Sequence, residues 1–149
     1  MFNENLKLSG QLAIVLRDKD GNVKEERTEK NLVVTAGLTY IASRMKDATA
    51  TAMTHMALGS GTTNALAAQT DLITLLGSRE ALDSTTVTAN AVAYVSSFEA
   101  GDATGAVTEA GIFNAASGAT MLCRVVFSVV NKAADDTMTV TWTITLAAS

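Results

Sequence analysis

The sequence predicts a mainly β fold, an antiparallel β-sandwich or flattened barrel with one or two short helices. Two patterns predict it. From Asp136 to Leu146, Thr137, Thr139, Thr141, Thr143 and Thr145 alternate with Met138, Val140, Trp142, Ile144 and Leu146. This period of two puts every apolar side chain on one sheet face. Threonine is β-branched, so it favours extended backbone even on the open face. At about 3.3 Å per residue the run spans roughly 33 Å, enough to cross a small domain. The second pattern is recurrence: short apolar runs alternate with turn signals along a chain that holds no proline, which amounts to seven or so strands.

Taken in order, Leu6 to Leu16 reads as a strand, with Leu6, Leu8, Leu12, Ile14 and Leu16 in period two and Gly10 permitting a local irregularity. The stretch from Asp18 to Asn22 closes a turn, since Asp-Gly is a strong hairpin signal. The return, Val23 to Val34, is mostly charged, and residues 17–30 hold ten charged side chains, so this hairpin is expected to project into water and to resist unwanted edge pairing. Thr35 to Lys46 changes period. Leu38, Ile41, Ala42 and Met45 fall on one helical face, Thr35 can cap the first turn, and Tyr40 and Arg44 look outward. Such a helix is expected to plug an end or face of the sheet.

Met53 to Leu58 and the glycine loop Gly59 to Thr63 come next, and a second short helix is expected before Gly77, with Leu72, Ile73, Leu75 and Leu76 as its apolar residues. Residues 79–90 read as a polar, threonine-rich edge or crossing segment, and Ala91 to Phe98 as a strand. From Ala106 a three-stranded meander is expected: Val107 to Phe113, Thr120 to Val130 and the threonine strand. Cys123, Val125, Phe127 and Val129 would share one face of its middle strand, with Arg124 and Ser128 on the other. Residues 81–149 contain eight charged side chains, which marks this half as the interior.

The chain of 149 residues fits a single β-rich domain over 1–149, with residues 1–8 as a possible N-terminal arm and 17–30 as the charged hairpin. A net charge of −4 gives no electrostatic footprint for nucleic acid. No apolar run approaches the roughly 20 residues of a membrane helix, and the start lacks the features of a signal peptide. A cytoplasmic site of synthesis without export by its own signal is expected. Charged residues make up 17% and hydrophobic ones 48%, with a mean hydropathy of +0.23. Much of the surface is then Thr, Ser, Ala and Asn, which suits a protein packed against copies of itself or a partner.

No constellation of catalytic type stands out. Cys123 is the single cysteine and sits in an apolar run, so a buried structural thiol is expected. His55, the single histidine, has no Ser, Cys or carboxylate pair near it in sequence. Asp18, Asp20, Asn22 and Glu29 fit positions of a calcium loop, but Val23 occupies the place where that loop needs glycine. Glu99 and Asp102 supply too few oxygens for calcium. The loop from Gly59 to Thr63 has neither glycine spacing of a phosphate cradle and is read as a tight turn. No catalytic residue, cofactor or metal site is expected.

Three landmarks recur in a telling order: Asn31 to Ala42; Met56-Ala-Leu-Gly-Ser-Gly61; and Glu109-Ala-Gly-Ile-Phe113 followed by Gly118 and the strand through Met121 to Phe127. Together they resemble small virion structural proteins of tailed bacteriophages, and the same order is similar to the start of phage tail-collar fibre proteins. The likeness covers about residues 31 to 146 and departs from the fibre pattern in lacking a repetitive shaft or receptor-binding tip. It implies a capsid decoration (cement) protein on the outside of the phage head with the major capsid protein as partner, or else a small tail, tail-collar fibre or baseplate component. It carries no catalytic residues to transfer. A closed oligomer matched to a lattice axis is expected, specifically a homotrimer. The expected contact residues are Met1, Phe2, Asn3 and Leu6 in the arm, with Tyr40 and Arg44 on the helix.

Overall fold

The structure, a computed structural model, describes residues 5–46 and 50–148. Among the described residues are nine strands and one helix: β1 (Leu6–Arg17), β2 (Val23–Val33), α1 (Thr35–Lys46), β3 (His55–Gly59), β4 (Glu80–Ala81), β5 (Ser84–Thr88), β6 (Ala91–Phe98), β7 (Gly105–Phe113), β8 (Met121–Lys132) and β9 (Thr137–Ala148). They form one antiparallel sheet in the order β4-β3-β7-β8-β2-β1-β9-β6-β5. This sheet curls into a half-barrel, the mainly β architecture that the alternating patterns predict. Its two ends are held by consecutive residues. Leu82 N donates to Thr54 O (2.9 Å) beside β3, and Asp83 N donates to Val95 O (2.7 Å) in β6. The two edge strands, β4 and β5, are thereby joined directly through Leu82 and Asp83.

The threonine strand sits at the centre of one limb. β9 pairs with β1 from Leu6↔Ala148 to Arg17↔Thr137, and with β6 from Ala91↔Thr145 to Phe98↔Met138. Its inward residues Met138, Val140, Trp142 and Ile144 pack with Leu12, Ile14, Leu16 and Phe98 in the same core as Met56, Ile112, Val125 and Phe127 of the other limb. Trp142 Nε1 donates to Asn31 Oδ1 (2.9 Å). Gly10 lies opposite Asn31 in an unbroken register, so it is no irregularity; a Cβ there would overlap the Asn31 side chain. The register shift in β1 falls instead at Leu16/Arg17.

The expected meander forms only in part. β7 and β8 pair as a hairpin, but β8 does not pair with β9; its other neighbour is β2. Both edges of β9 are occupied by β1 and β6, so the turn after Lys132 carries the chain across to the opposite limb. Asp136 fixes that turn, accepting from Ala133 N (2.9 Å) and from Lys24 Nζ (2.7 Å). Within β8, Phe127, Ser128 and Val129 stand opposite the single residue Thr108, a bulge that turns Val129 outward and Val130 into the core.

The β1–β2 hairpin has the expected exposed tip. Asp18 Oδ1 accepts from Asp20 N and Asn22 N (both 2.9 Å), which pulls its pKa below the usual value, and Gly21 holds a φ of 84°. The calcium-loop residues are therefore spent on a turn. Beyond Leu32 and Val33, β2 leaves β8, and Arg27 crosses the gap to donate to Ser128 O (2.5 Å) and Val129 O (3.3 Å). The hairpin is thus only partly free in water.

Helix α1 is turned relative to the expected face. Gly37 is buried against Leu122, where a Cβ would overlap the Leu122 carbonyl oxygen. That contact brings the Gly37 side of the helix down, with Tyr40 and Ile41 packed against the main core. Leu38 and Met45, expected to be covered, are 49% and 81% exposed. Of the described residues, no helix is long and apolar enough to cross a membrane.

Candidate functional site

The helix expected before Gly77 does not form: the backbone there is bonded to the end of β3, with Leu76 N donating to Leu58 O and Ser60 N donating to Thr74 O (both 2.9 Å), over a buried polar cluster. Glu109 of β7 and Arg124 of β8 lie diagonally across their hairpin with both side chains fully buried. Arg124 Nε and Nη2 donate to Glu109 Oε2 at 2.9 and 2.7 Å. Arg124 Nη1 donates to Thr63 O and Gln69 Oε1, both at 2.9 Å. The carboxylate also accepts backbone amides: Gly61 (3.0 Å) and Thr74 (2.8 Å) on Oε1, and Ile73 (3.1 Å) on Oε2. Glu109 thus draws the Gly61 end and the Ile73–Thr74 end of the segment onto one buried carboxylate, and residues 60–77 wrap as an irregular loop.

The glycine loop acquires a reason in the same place. A Cβ on Gly59 or on Gly61 would stand 2.5 Å from Glu109 Oε1. These glycines give the backbone room to reach a carboxylate, beyond the tight turn expected of them. Thr108 Oγ1 adds a bond to Gly61 O (2.8 Å). Arg79 anchors the far end of the loop, stacking 3.5 Å over the Phe113 ring and donating to Ala115 O and Gly118 O at 2.9 Å. Beneath the loop and helix, Val34, Ala57, Leu72, Phe113 and Met121 form a second apolar cluster.

His55 is half-buried, with Nδ1 2.8 Å from Thr54 Oγ1. Cys123 is buried in the core, and desolvation raises its thiol pKa well above the ordinary value. Tyr94 is pushed up to about 12, chiefly by burial and then by the nearby Tyr40. Lys132, almost fully buried, donates to Glu99 O (2.8 Å), and its pKa is lowered by desolvation. Among the described residues, no three His, Cys, Asp or Glu side chains converge where they could hold a metal ion.

Comparisons with protein-family models, with curated proteins and with solved structures find no match. Of the expected contact residues, Met1, Phe2 and Asn3 lie outside the described residues. Leu6 is 66% exposed, but it and Leu8 belong to β1, paired with Ala148 and Leu146, so neither forms part of an arm. Tyr40 turns toward the core, contrary to its expected outward position, because Gly37 sets the helix rotation. Arg44 is exposed, and its Nη1 donates to Ala50 O (2.7 Å). The surfaces missed at the sequence level are the apolar residues left outside on the helix and loop, Leu38, Met45, Leu66, Ile73 and Leu75, each 46% exposed or more.

Proposed function

We propose that this chain is a virion structural protein of a tailed bacteriophage: a capsid decoration (cement) protein that sits as a homotrimer on the outer surface of the head and stabilises the major-capsid lattice. One observation carries the reading. The three sequence landmarks on which the phage resemblance rests pack on one another, with Gly37 against Leu122 and Gly59 and Gly61 against Glu109, which is paired to Arg124. They form one structural unit that presents Leu38 outward, and the loop held against it presents Leu66 and Ile73. Exposed apolar side chains on an ordered layer are what docking to a lattice requires.

A protein of this kind acts by mass action. Binding the assembled lattice and not its separated subunits stabilises the lattice by RT ln(1 + [L]/Kd) per site. The test is to add the purified protein to shells that lack it. Saturable co-sedimentation and a rise in the shell's melting temperature are expected, and absence of both would refute the reading. A small tail, collar or baseplate component is the second reading, favoured by the likeness to collar fibres; it binds tails and leaves shell melting unchanged. Deleting residues 1–5 is expected to weaken attachment without unfolding the domain.

A further inference from the structure

Strand β5 ends the sheet, and all of its residues, Ser84 to Thr88, are exposed. Even Val87, on the core-facing side opposite Val92, is 69% exposed. The pairing fixes which backbone groups point outward. A two-residue turn, Ala89 and Asn90, joins β5 to β6, so the closing pair Thr88↔Ala91 is hydrogen-bonded, and with it Thr86↔Ala93. The β9 side agrees: Leu146 N donates to Asn90 O (2.9 Å), so even-numbered residues of β6 bond to β9 and odd-numbered ones to β5. The N–H and C=O groups of Thr85 and Val87 therefore face the open edge. The run is bounded at both ends, since Asp83 N already donates to Val95 O (2.7 Å) and Ala89 turns away with a φ of 51°. Native edges are blunted by charge, proline or shortness. Where β2 parts from β8 it carries Lys24, Glu25, Glu26, Arg27, Glu29 and Lys30, and Arg27 bonds across the gap. β4 has only two residues. β5, with the sequence Ser-Thr-Thr-Val-Thr, has neither charge nor proline, and every residue after Ser84 is β-branched.

We infer that β5 pairs antiparallel with β5 of a second copy of the chain, about a two-fold axis at Thr86. The backbone selects both the occupant and the register. With the axis at Thr86, Thr85 meets the partner's Val87 and Val87 meets the partner's Thr85, so every outward N–H and C=O of both copies is used. With the axis at Thr85 the pairing would need Asp83 N, which is taken, and with the axis at Val87 it would need Ala89, which lies in the turn. The charge pattern agrees. A two-fold axis sets residues against their own copies, so a charge at its centre would repel itself, and this strand has none. Thr86 against the partner's Thr86, and Val87 against the partner's Thr85, are cross-strand pairs of the kind that stabilise sheets. The contact is the same patch on both copies, so it consumes the edge and closes. At about 3.3 Å per residue the edge is roughly 17 Å long. That is small for a specific interface, so pairs exchange with single copies in solution. The contact is separate from the trimer of the proposed function and does not rest on it.

The experiment is cross-linking through the axis. Under mild oxidation Thr86→Cys is expected to give a covalent dimer on a non-reducing denaturing gel, because facing residues without mutual backbone bonds bring their Cα atoms to about 4.5 Å. The native Cys123 is buried and does not interfere. Ser84→Cys alone is expected to stay uncross-linked, yet to cross-link when mixed with Thr88→Cys, since the register sets Ser84 against the partner's Thr88. A second measurement needs no cysteine: exchange of the Thr85 and Val87 amides of wild type is expected to slow at least about threefold between about 10 µM and about 1 mM chain. Val87→Pro gives up an N–H that β6 does not use, so it is expected to fold with unchanged Trp142 emission and to lose the slowing at Thr85. No cross-link with Thr86→Cys, equal cross-linking by Ser84→Cys alone, or exchange independent of concentration would each overturn the inference. Protection of those amides only when shells are added would give the edge to another protein and overturn it too. These outcomes are separable from failure of the virion reading: a chain that pairs but binds no shell keeps the edge and loses the function, and one that binds shells without pairing does the reverse.

Discussion

Removing Arg124 tests the polar clasp most severely. In Arg124→Met, the buried Glu109 carboxyl loses its two charge-assisted bonds, and Thr63 O and Gln69 Oε1 lose a donor. Breaking a buried pair from one side costs about 3–5 kcal/mol, a large share of the roughly 5–15 kcal/mol that holds a domain of this size. With a urea m-value of about 2 kcal/mol per M, the midpoint is expected to fall by about 2 M. Emission of Trp142, fully buried at the centre of the core, reports the transition. The double variant Glu109→Leu with Arg124→Met separates a clasp from a plain ion pair. Apolar replacement of an isolated buried pair is often neutral or stabilising by about 1–4 kcal/mol. Here the amides of Gly61, Ile73 and Thr74 lose their acceptor, at about 1–3 kcal/mol for each group left unsatisfied. In the middle of those ranges the loss, about 6 kcal/mol, exceeds the gain, about 2–3 kcal/mol, so the double variant is expected about 3 kcal/mol below wild type, with those three amides exchanging rapidly in deuterated water. Wild-type stability with the amides still protected would refute the reasoning.

Two further outcomes follow from local geometry. Gly37→Ala gains about 1 kcal/mol in helix propensity, but its Cβ overlaps the Leu122 carbonyl. Overpacking of this kind costs about 1–3 kcal/mol, so a net loss is expected in urea melts, and a gain would show that the helix moves without cost. The Asp136 carboxyl has its pKa lowered from the ordinary 3.8, chiefly by the hydrogen bond from Lys24. A depressed carboxylate pKa contributes stability above the unfolded value and loses it as pH falls through the folded one. Urea midpoints of wild type should therefore fall as pH drops below about 4, and Asp136→Asn should be less stable at pH 7 but show a shallower acid slope; parallel slopes would count against the pairing.

The strands were legible because their information is local. Threonine alternation in β9, the leucine spacing of β1 and the Asp-Gly turn at Asp20 and Gly21 each act within a few residues. What could not be read depends on residues far apart. The helical spacing of Leu72, Ile73 and Leu76 is real, yet the backbone there is bonded to the end of β3, through Leu76 N to Leu58 O and Ser60 N to Thr74 O, and to Glu109, 35 and 36 positions away from the amides it binds. A signal was present: Glu109 and Arg124 are opposite charges set among apolar residues in the facing halves of two strands that make a hairpin. Helix rotation was misread because apolar spacing pointed to Leu38 and Met45, whereas the closeness allowed by Gly37 decided the packing. The meander failed at its last step because the turn after Lys132 is as compact as a hairpin turn and gives no local sign that β1 and β6 already occupy both edges of β9. Val129 was placed inward by strict alternation, and the bulge opposite Thr108 breaks that alternation.

The most direct measurement of the central claim, that this chain is a cement protein, is its copy number in purified particles. Calibrated mass spectrometry gives the molar ratio of this chain to the main shell protein. A ratio near one is expected, since a protein that stabilises a lattice must occupy it throughout. A few copies per particle would move it to the tail or baseplate, and absence from particles would contradict the account.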